Sequence, residues 1–360
     1  MNNKANSKKE KKDRRGYAVP VTIIIIIIIV LIFLFSPGLF KSLIGSVLKS
    51  GAPSVGNNSL SHAGANVYAY VTNYGNSTTI INTSDNKVIA NINAGSRPIA
   101  VAISPNGKYV YFADSNGMVS IINATDNAII NSINVGGIPL DLAITPNGQY
   151  VYVVNSANDL VSVINTNTDT VSSTINVSSE QSSVAIAPNG KFVYVADYAN
   201  NIVVINASSN AIITQIYTGR LNYGIAITPS GNLLYAATGN GYQVINTSNN
   251  LDISTVSIPD GTVGVAISPN GKYAFFTDIV HDMVIVLVNA SYGTQGLYYV
   301  NVAPEPYGVA VFPNSQVAYV TSNLVNSLAV INVASGIPFE STTITMDSGA
   351  GIAIAETSLK

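Results

Sequence analysis

The stretch VAISPNGKYVYFAD, residues 101–114, joins an apolar run through an Asn-Gly pair to a second, aromatic-rich apolar run. Asn-Gly between two apolar runs is typical of a β-hairpin, because the tight turn needs positive φ at its central residues. Two further apolar segments follow, residues 118–123 and 128–135, with polar residues between them. The unit predicts four short antiparallel strands.

The aromatic segment recurs at intervals of 40 to 44 residues. Four short strands at this period are typical of β-propeller blades, and face-to-face packing of blades explains inner strands made of continuous Val, Ile and Ala. The sequence therefore predicts an all-β fold, a seven-bladed β-propeller of four-stranded antiparallel blades, over residues 66–356. The seven copies contain Tyr70, Tyr111, Tyr152, Tyr194, Tyr235, Phe275 and Tyr319.

The two ends of the repeat region complement each other. The first aromatic strand, residues 67–73, lacks the apolar run and Asn-Gly pair that precede the other copies, and residues 351–355 form an apolar run without a partner. We predict that residues 351–355 complete the first blade as its innermost strand. Such closure would remove free sheet edges that invite aggregation.

The amino-terminal region has the features of a membrane anchor. Residues 8–15 are strongly basic, and residues 17–35 are uncharged and include seven consecutive isoleucines. A helix of this length spans about 28 Å, close to the hydrocarbon thickness of a bilayer. The positive-inside rule then predicts a cytoplasmic segment over residues 1–16, a transmembrane signal-anchor helix over residues 17–36 and a single-pass protein of the cell membrane with an extracellular propeller.

Two alternatives to a simple anchor remain open. A cleaved secretory signal is one, although the apolar run is long for such a signal. Residues 14–20, RRGYAVP, also resemble the processing site of archaeal type IV pilin-like signal sequences, which implies cleavage after Gly16 and retention of the apolar helix. Residues 37–65 are rich in Ser, Gly and Ala and are expected to form a stalk.

The charge distribution and the scarcity of cysteine and histidine argue against several classes of function. Residues 1–65 carry nine Lys or Arg and two Asp or Glu, whereas residues 66–360 carry seven and sixteen, a net charge of −9 that argues against a nucleic-acid partner. The chain has no cysteine, which excludes zinc–thiolate sites and disulfides. His281 is the only histidine after residue 66, so no multi-histidine metal site is expected there.

The segments YVTN at residues 70–73, SPNGK at residues 104–108 and VINT at residues 163–166 carry a family resemblance. The chain resembles the YVTN family of β-propeller repeats, common on archaeal cell surfaces, from about residue 66 to residue 355. The resemblance implies a surface location and adhesion or attachment to a surface layer, and it implies no catalytic residue. Blade five departs from the pattern at Thr238-Gly239, and blade seven lacks the turn glycine at residues 312–315.

Candidate binding residues lie at the ends of the second strands and in nearby loops of one propeller face. Carboxylates there predict an acidic mouth that attracts a basic partner or a divalent cation such as calcium, with turn capping as the alternative explanation. Four tyrosines near the same mouth are candidates for a saccharide- or protein-binding surface. The candidate residues are Asp114, Asp197, Asp278, Asp282, Tyr74, Tyr198, Tyr223 and Tyr307.

Asn-x-Ser/Thr sequons recur on the opposite face. Five of them begin at one repeat position, the turn between the third and fourth strands, and would be glycan acceptors in an exported protein. Asparagine is also preferred in such turns for conformational reasons alone. The five sequons of this face begin at Asn82, Asn123, Asn206, Asn246 and Asn289, and further sequons elsewhere in the chain begin at Asn57, Asn76 and Asn176.

These features together predict a membrane-anchored extracellular binding, adhesion or surface-scaffold module without catalysis. Its expected partners are the membrane, through residues 17–36, and a surface protein, a glycan or a cell-wall layer. No catalytic residue and no resident cofactor or metal is assigned. The alternative function is a propeller hydrolase or lyase with a cation site at the acidic mouth, which rests on fold analogy.

Overall fold

The computed structural model describes residues 67–177, 180–292, 295–346 and 349–356. These residues form antiparallel β-strands and one short 3-10 helix, Ala290–Tyr292. The strands are β1 (Val67–Asn73), β2 (Thr78–Asn82), β3 (Lys87–Ile92), β4 (Pro98–Ile103), β5 (Tyr109–Asp114), β6 (Met118–Asn123), β7 (Ala128–Asn134), β8 (Pro139–Ile144), β9 (Tyr150–Asn155), β10 (Leu160–Asn165), β11 (Thr170–Asn176), β12 (Gln181–Ile186), β13 (Phe192–Asp197), β14 (Asn201–Asn206), β15 (Ala211–Tyr217), β16 (Gly224–Ile227), β17 (Leu233–Ala237), β18 (Gly239–Asn246), β19 (Leu251–Ile267), β20 (Tyr273–Asp278), β21 (Met283–Val288), β22 (Gln295–Asn301), β23 (Pro306–Val311), β24 (Val317–Ser322), β25 (Ser327–Asn332), β26 (Phe339–Thr345) and β27 (Gly349–Glu356).

The strands form six sheets in the described residues. Sheets 1 to 4 contain four strands each, in the orders β27-β1-β2-β3, β4 to β7, β8 to β11 and β12 to β15; sheet 6 contains β23 to β26. Sheet 5 contains seven strands, β16 to β22, because β19 continues from one pairing to the next. Residues 251–257 of β19 pair with β18, and residues 262–267 pair with β20. The prediction of an all-β fold of four-stranded antiparallel sheets is confirmed, and the arrangement is that of a β-propeller.

The first strands of the repeats contact one another in a closed circle. The order of contact is β27, β4, β8, β12, β16, β19, β23 and again β27. The segment predicted to close the ring, residues 351–355, lies within β27, which pairs with β1 from Val67–Glu356 to Val71–Ile352. Buried apolar clusters fill the spaces between neighbouring sheets. The inner-strand circle therefore positions the loops at its two ends.

Threonine hydroxyls tie the inner strands together. Thr277 Oγ1 accepts a hydrogen bond from Gly264 N at 2.9 Å, within its own repeat, and donates to Tyr307 O at 2.8 Å on the next inner strand. Thr72 and Thr321, which occupy the same repeat position, make the equivalent pair of contacts. The Thr of the YVTN segment is therefore explained by the junction between neighbouring inner strands.

Replacing Thr277 with Val should destabilise the fold by about 1–3 kcal/mol, because it removes the partners of two backbone groups without changing side-chain size. Denaturant unfolding of the full-length chain, followed by circular dichroism, measures the change. Thr174→Val is the matched control, since Thr174 is exposed on β11 and a change there is expected to cost less than about 0.5 kcal/mol. Equal losses in both variants would contradict the role assigned to Thr277.

The outermost strands carry a shared irregularity. In each repeat the pairing between the third and fourth strands contains a register shift near the end of the third strand. Examples are the shifts between Ile80 and Ile81 and between Ile121 and Ile122. The same shift occurs beside β11, β15, the first part of β19, β22 and β26. A bulge of this kind twists an edge and interrupts its hydrogen-bonding pattern. Several large apolar side chains nevertheless stand exposed on these strands, including Ile129 and Ile213.

The predictions for the amino-terminal 65 residues lie outside the described residues. They comprise the cytoplasmic segment at residues 1–16, the transmembrane helix at residues 17–36, the stalk at residues 37–65 and the sequon at Asn57. Among the residues that the structure does describe, no helix is long and apolar enough to cross a membrane.

Candidate functional site

Two sets of loops lie together at one end of the sheets. In several repeats the residue after the second strand is hydrogen-bonded to the segment before the first strand of the same repeat, as in Ser115 N to Arg97 O at 3.1 Å and Tyr198 N to Glu180 O at 3.0 Å. The four candidate tyrosines lie in these loops or at the adjoining ends of inner strands. We call this end of the inner-strand circle, defined by Tyr74, Tyr198, Tyr223 and Tyr307, the tyrosine mouth.

Tyr198 and Tyr223 form an aromatic pair across two neighbouring sheets. Their ring centroids are 5.6 Å apart and the rings meet edge to face at 69°. Asn222 anchors the segment before Tyr223 to the repeat that carries Tyr198, because its buried side chain donates to Asn201 O at 3.2 Å and to Thr218 Oγ1 at 3.0 Å. Asn222 was not selected from the sequence, although its position directly before Tyr223 could have indicated a role in placing that tyrosine.

Tyr74 and Tyr307 complete the mouth from the other side. The Tyr74 hydroxyl donates to Asn323 Oδ1 at 2.9 Å, which joins loops 249 residues apart in sequence. Tyr307 is the second residue of β23 and is 37% exposed. It lies close enough to Tyr74, Tyr198 and Tyr223 for electrostatic interaction with each. The structure therefore brings the four candidate tyrosines to one place.

The electrostatic environment keeps the hydroxyls of Tyr74, Tyr198 and Tyr307 protonated. Burial raises the pKa of Tyr74 and Tyr198 well above the ordinary value, and the neighbouring Tyr307 raises both further. Desolvation of its hydroxyl group also raises the pKa of Tyr307, with Asp141 and Tyr223 as additional causes. At neutral pH each hydroxyl can therefore both donate and accept a hydrogen bond.

Asp141 is a carboxylate near the mouth that sequence reasoning did not select. It lies on the inner strand β8, and its Oδ2 accepts hydrogen bonds from Ser183 Oγ at 2.8 Å and Val184 N at 3.0 Å on the next inner strand. Burial raises its pKa, and these hydrogen bonds oppose the rise. Asp141 occupies the repeat position that holds the small residues Ala100 and Gly224 in other repeats. A charged side chain at that position could have identified Asp141 from the sequence.

The three strand-end carboxylates have structural partners within their own repeats. Asp197 Oδ1 accepts from Ala199 N at 2.9 Å and Asn201 N at 2.7 Å. Asp114 accepts from Ser120 Oγ at 2.5 Å. Asp114, Asp197 and Asp278 are each at most 2% exposed, so none presents an open carboxylate to solvent. Asp197 and Asp278 accept from backbone N–H groups of the following loop, which is turn capping, whereas Asp114 bonds to a side chain of the next strand.

The remaining acidic candidate, Asp282, also bonds to the backbone. Its Oδ1 accepts from Glu305 N at 3.0 Å and so links two loops of the face. Burial raises the pKa of Glu305, and the nearby Asp282 raises it further. In the described part of the chain, no group of three or more His, Asp or Glu side chains is placed to hold a metal ion.

His281 is paired with Asp278. Its Nδ1 lies 3.0 Å from both carboxylate oxygens, and Asp278 Oδ1 also accepts from Val280 N at 3.1 Å and His281 N at 3.0 Å. The carboxylate approaches Gly261 so closely that a β-carbon there would lie 2.1 Å from Oδ1, and Gly261 has a φ of +141°. Glycine is therefore required at this position for the pair to form.

The sequon asparagines of the opposite face shape their turns. The Oδ1 atoms of Asn82, Asn123, Asn206 and Asn246 each accept from the backbone N–H two residues later, at 2.9 Å. Asn165, which begins no sequon, makes the same contact. The remaining described sequon residues are Asn76, whose Oδ1 accepts from Arg97 N, the exposed Asn176, and Asn289, which has a φ of +63°.

Comparisons with known proteins reveal one domain family and many structures of similar fold. The profile of DUF5074, a domain of unknown function, matches residues 142–277, less than half of the chain. No match was found among curated protein sequences.

A functionally unknown protein from Desulfotomaculum acetoxidans superimposes with a TM-score of 0.71 at 17% identity, covering 81% of this chain and 100% of that one. A putative 6-phosphogluconolactonase from Bacteroides fragilis gives 0.68 at 17% identity, covering 81% and 98%. The periplasmic gluconolactonase of Pseudomonas aeruginosa gives 0.67 at 13% identity, covering 80% and 99%. At such low identity these likenesses show the fold alone: the chain has a β-propeller fold shared by proteins of different activities.

Proposed function

We propose that this protein is a membrane-anchored extracellular binding module that takes its ligand at the tyrosine mouth and performs no catalysis. The observation that carries the proposal is the convergence of Tyr74, Tyr198, Tyr223 and Tyr307 at one end of the inner-strand circle. Tyrosine supplies a large apolar surface with a polar hydroxyl at its end, which suits a saccharide or a protein loop.

The proposal includes a seven-bladed propeller. Seven inner segments contact one another in the closed circle. Seven blades of four strands need 28 strands, and the 27 described strands supply them if β19 counts once for each of the two blades in which it pairs. The long strand β19 would then be the fourth strand of blade five and the first strand of blade six. We assign the repeats to the YVTN type on the segments quoted above, and the sequons on the opposite face remain proposed glycan acceptors.

A membrane anchor at residues 17–36 gives the module its place on the cell surface. The anchor is supported by the basic residues 8–15 and the uncharged apolar run that follows them. A rigid propeller held outside the membrane in this way is suited to contact a glycan, a surface protein or a cell-wall layer. The pilin-like processing site would leave the anchor in place.

A glycan array probed with the full-length chain tests the proposal, followed by calorimetric titration of any saccharide that binds. We expect Tyr223→Ala and Tyr307→Ala to weaken binding at least about tenfold, because both remove aromatic surface from the mouth. Tyr217→Ala is the matched control, since Tyr217 is 76% exposed on the outer strand β15. Equal weakening by the control would place the binding surface elsewhere.

The hydrolase or lyase alternative is tested in the same titration with calcium. Its structural basis was an open acidic mouth, whereas Asp114, Asp197 and Asp278 are buried and bonded within their own repeats. Calcium binding that is lost in Asp282→Asn would favour the alternative. The absence of a calcium response together with saccharide binding would favour the binding module.

A further inference from the structure

A partly open pocket of about 210 Å³ lies beside the Asp278–His281 pair, and none of the mouth tyrosines lines it. Its walls are formed by Ile258, Asp278, His281, Met283 and Tyr299. Drug-sized ligands generally occupy larger pockets, of roughly 300–1,000 Å³. The volume therefore suits an ion or a very small molecule.

Asp278 fixes the orientation and tautomer of the His281 ring. A carboxylate accepts hydrogen bonds but donates none, so the neutral imidazole carries its proton on Nδ1, which lies 3.0 Å from both Asp278 oxygens. The lone pair is then on Nε2, and among the described residues no hydrogen bond to Nε2 occurs. The ring is 38% exposed while the carboxylate is 1% exposed. Histidines that bind metals are commonly oriented by such a buried carboxylate.

Met283 adds a second donor atom of a different kind. It is the first residue of β21, it is half-buried, and it packs against the apolar cluster of sheet 5 that includes Ile258 and Phe276. A thioether sulfur is a soft ligand, which favours monovalent copper over calcium, magnesium or zinc. The buried apolar side chain of Ile258 forms one wall of the pocket beside these two donors.

We propose that His281 Nε2 and the sulfur of Met283 bind a soft monovalent metal ion of the Cu(I) class, with Asp278 as the residue that orients the imidazole. The site does not depend on the function proposed for the tyrosine mouth. No electron transfer is part of the proposal, since binding requires only two neutral donor atoms and the ion.

Titration of the full-length chain with Ag(I) tests the site, because Ag(I) is a soft monovalent ion that air does not oxidise. The chain is kept in detergent on account of its apolar residues 17–35. We expect saturable binding of one ion and a shift of the His281 Nε2 resonance in the nitrogen NMR spectrum. His281→Gln should abolish this binding, and Met283→Leu should weaken it at least about tenfold. Asp278→Asn should weaken it about 10- to 100-fold while the imidazole remains present.

Met118→Leu is the matched control, because Met118 is the first residue of β6 and so occupies the repeat position of Met283 without a neighbouring histidine. It should leave Ag(I) binding unchanged. Circular dichroism of every variant verifies that the fold is retained. The proposal is overturned if Ag(I) does not bind, if His281→Gln binds it as well as the parent chain does, or if Met118→Leu weakens binding as much as Met283→Leu.

Discussion

Deletion of residues 349–360 is expected to abolish cooperative folding. The deletion removes β27, which pairs with β1 and contacts the inner strands β4 and β23 on its two sides. It exposes the backbone edge of β1 and removes Ile352 and Ile354 from the apolar cluster around Val71 and Tyr319. Since domains are stable by only about 5–15 kcal/mol, loss of a whole inner strand exceeds the available margin.

Size-exclusion chromatography and thermal unfolding followed by circular dichroism measure this effect. Deletion of residues 357–360 alone is the control and should leave the unfolding transition unchanged, because these residues follow the last strand. Gly351→Val is a milder test of the same closure and should destabilise the fold, since a β-carbon at Gly351 would lie 2.6 Å from Ile99 O on the next inner strand. A monomeric deletion variant with one cooperative transition near that of the parent chain would disprove the closing role of β27.

The Asp114→Asn variant is expected to be more stable than the parent chain at alkaline pH and to lose part of the pH dependence of folding. Burial raises the pKa of Asp114 from the ordinary 3.8 to about 7, and the hydrogen bond from Ser120 opposes the rise only partly. Among the described residues, no donor reaches Asp114 Oδ1. Asn155 occupies the same repeat position, and its amide donates to Gly136 O at 2.6 Å.

A raised carboxyl pKa stabilises the fold while the group is protonated. The contribution is fully present below about pH 4 and is lost as the pH rises through about 7. The stability difference between Asp114→Asn and the parent chain should therefore shift in favour of the variant by roughly 2–4 kcal/mol between about pH 4 and about pH 8.

Denaturant unfolding at the two pH values measures the shift. Asp197→Asn is the matched control, because Asp197 Oδ2 accepts from Asn201 Nδ2 at 3.4 Å, where the amide nitrogen of asparagine would face another donor, and the two backbone N–H groups at Oδ1 would lose a charged acceptor. It should destabilise the fold by about 1–3 kcal/mol at neutral and alkaline pH. A difference between Asp114→Asn and the parent chain that does not change with pH would refute the assignment to Asp114.

Local patterns in the sequence predicted the strands and their order well. The Asn-Gly pair before Lys108 predicted the hairpin between β4 and β5, and the segment predicted as a third strand, residues 118–123, is β6 as observed. The continuous strand β19 was not predicted, and its sequence gives no sign of continuity, because Pro259 and Gly261 are residue types that usually end a strand. Backbone pairing on both sides overrides that preference here.

The candidate site was less predictable than the fold. The repeat positions of the four tyrosines predicted a common face, and the structure places the four side chains near one another; their role in binding stays a prediction. The burial of Asp114 and Asp197 could not be predicted, since the same Asp at a strand end can face solvent or its own loop. The Thr277 contacts could not be predicted from the sequence either, because the hydroxyl joins backbone groups from two different repeats.

The bulges of the outer strands affect how this protein would behave where many copies are crowded together. Large apolar side chains such as Ile129, Ile213 and Phe339 stand exposed on strands whose edge hydrogen bonding is interrupted. We therefore expect any contact between crowded molecules to form through side chains rather than by addition of strands to one another's sheets. Contacts of that kind separate readily, so high density would favour transient clustering over irreversible fibre growth.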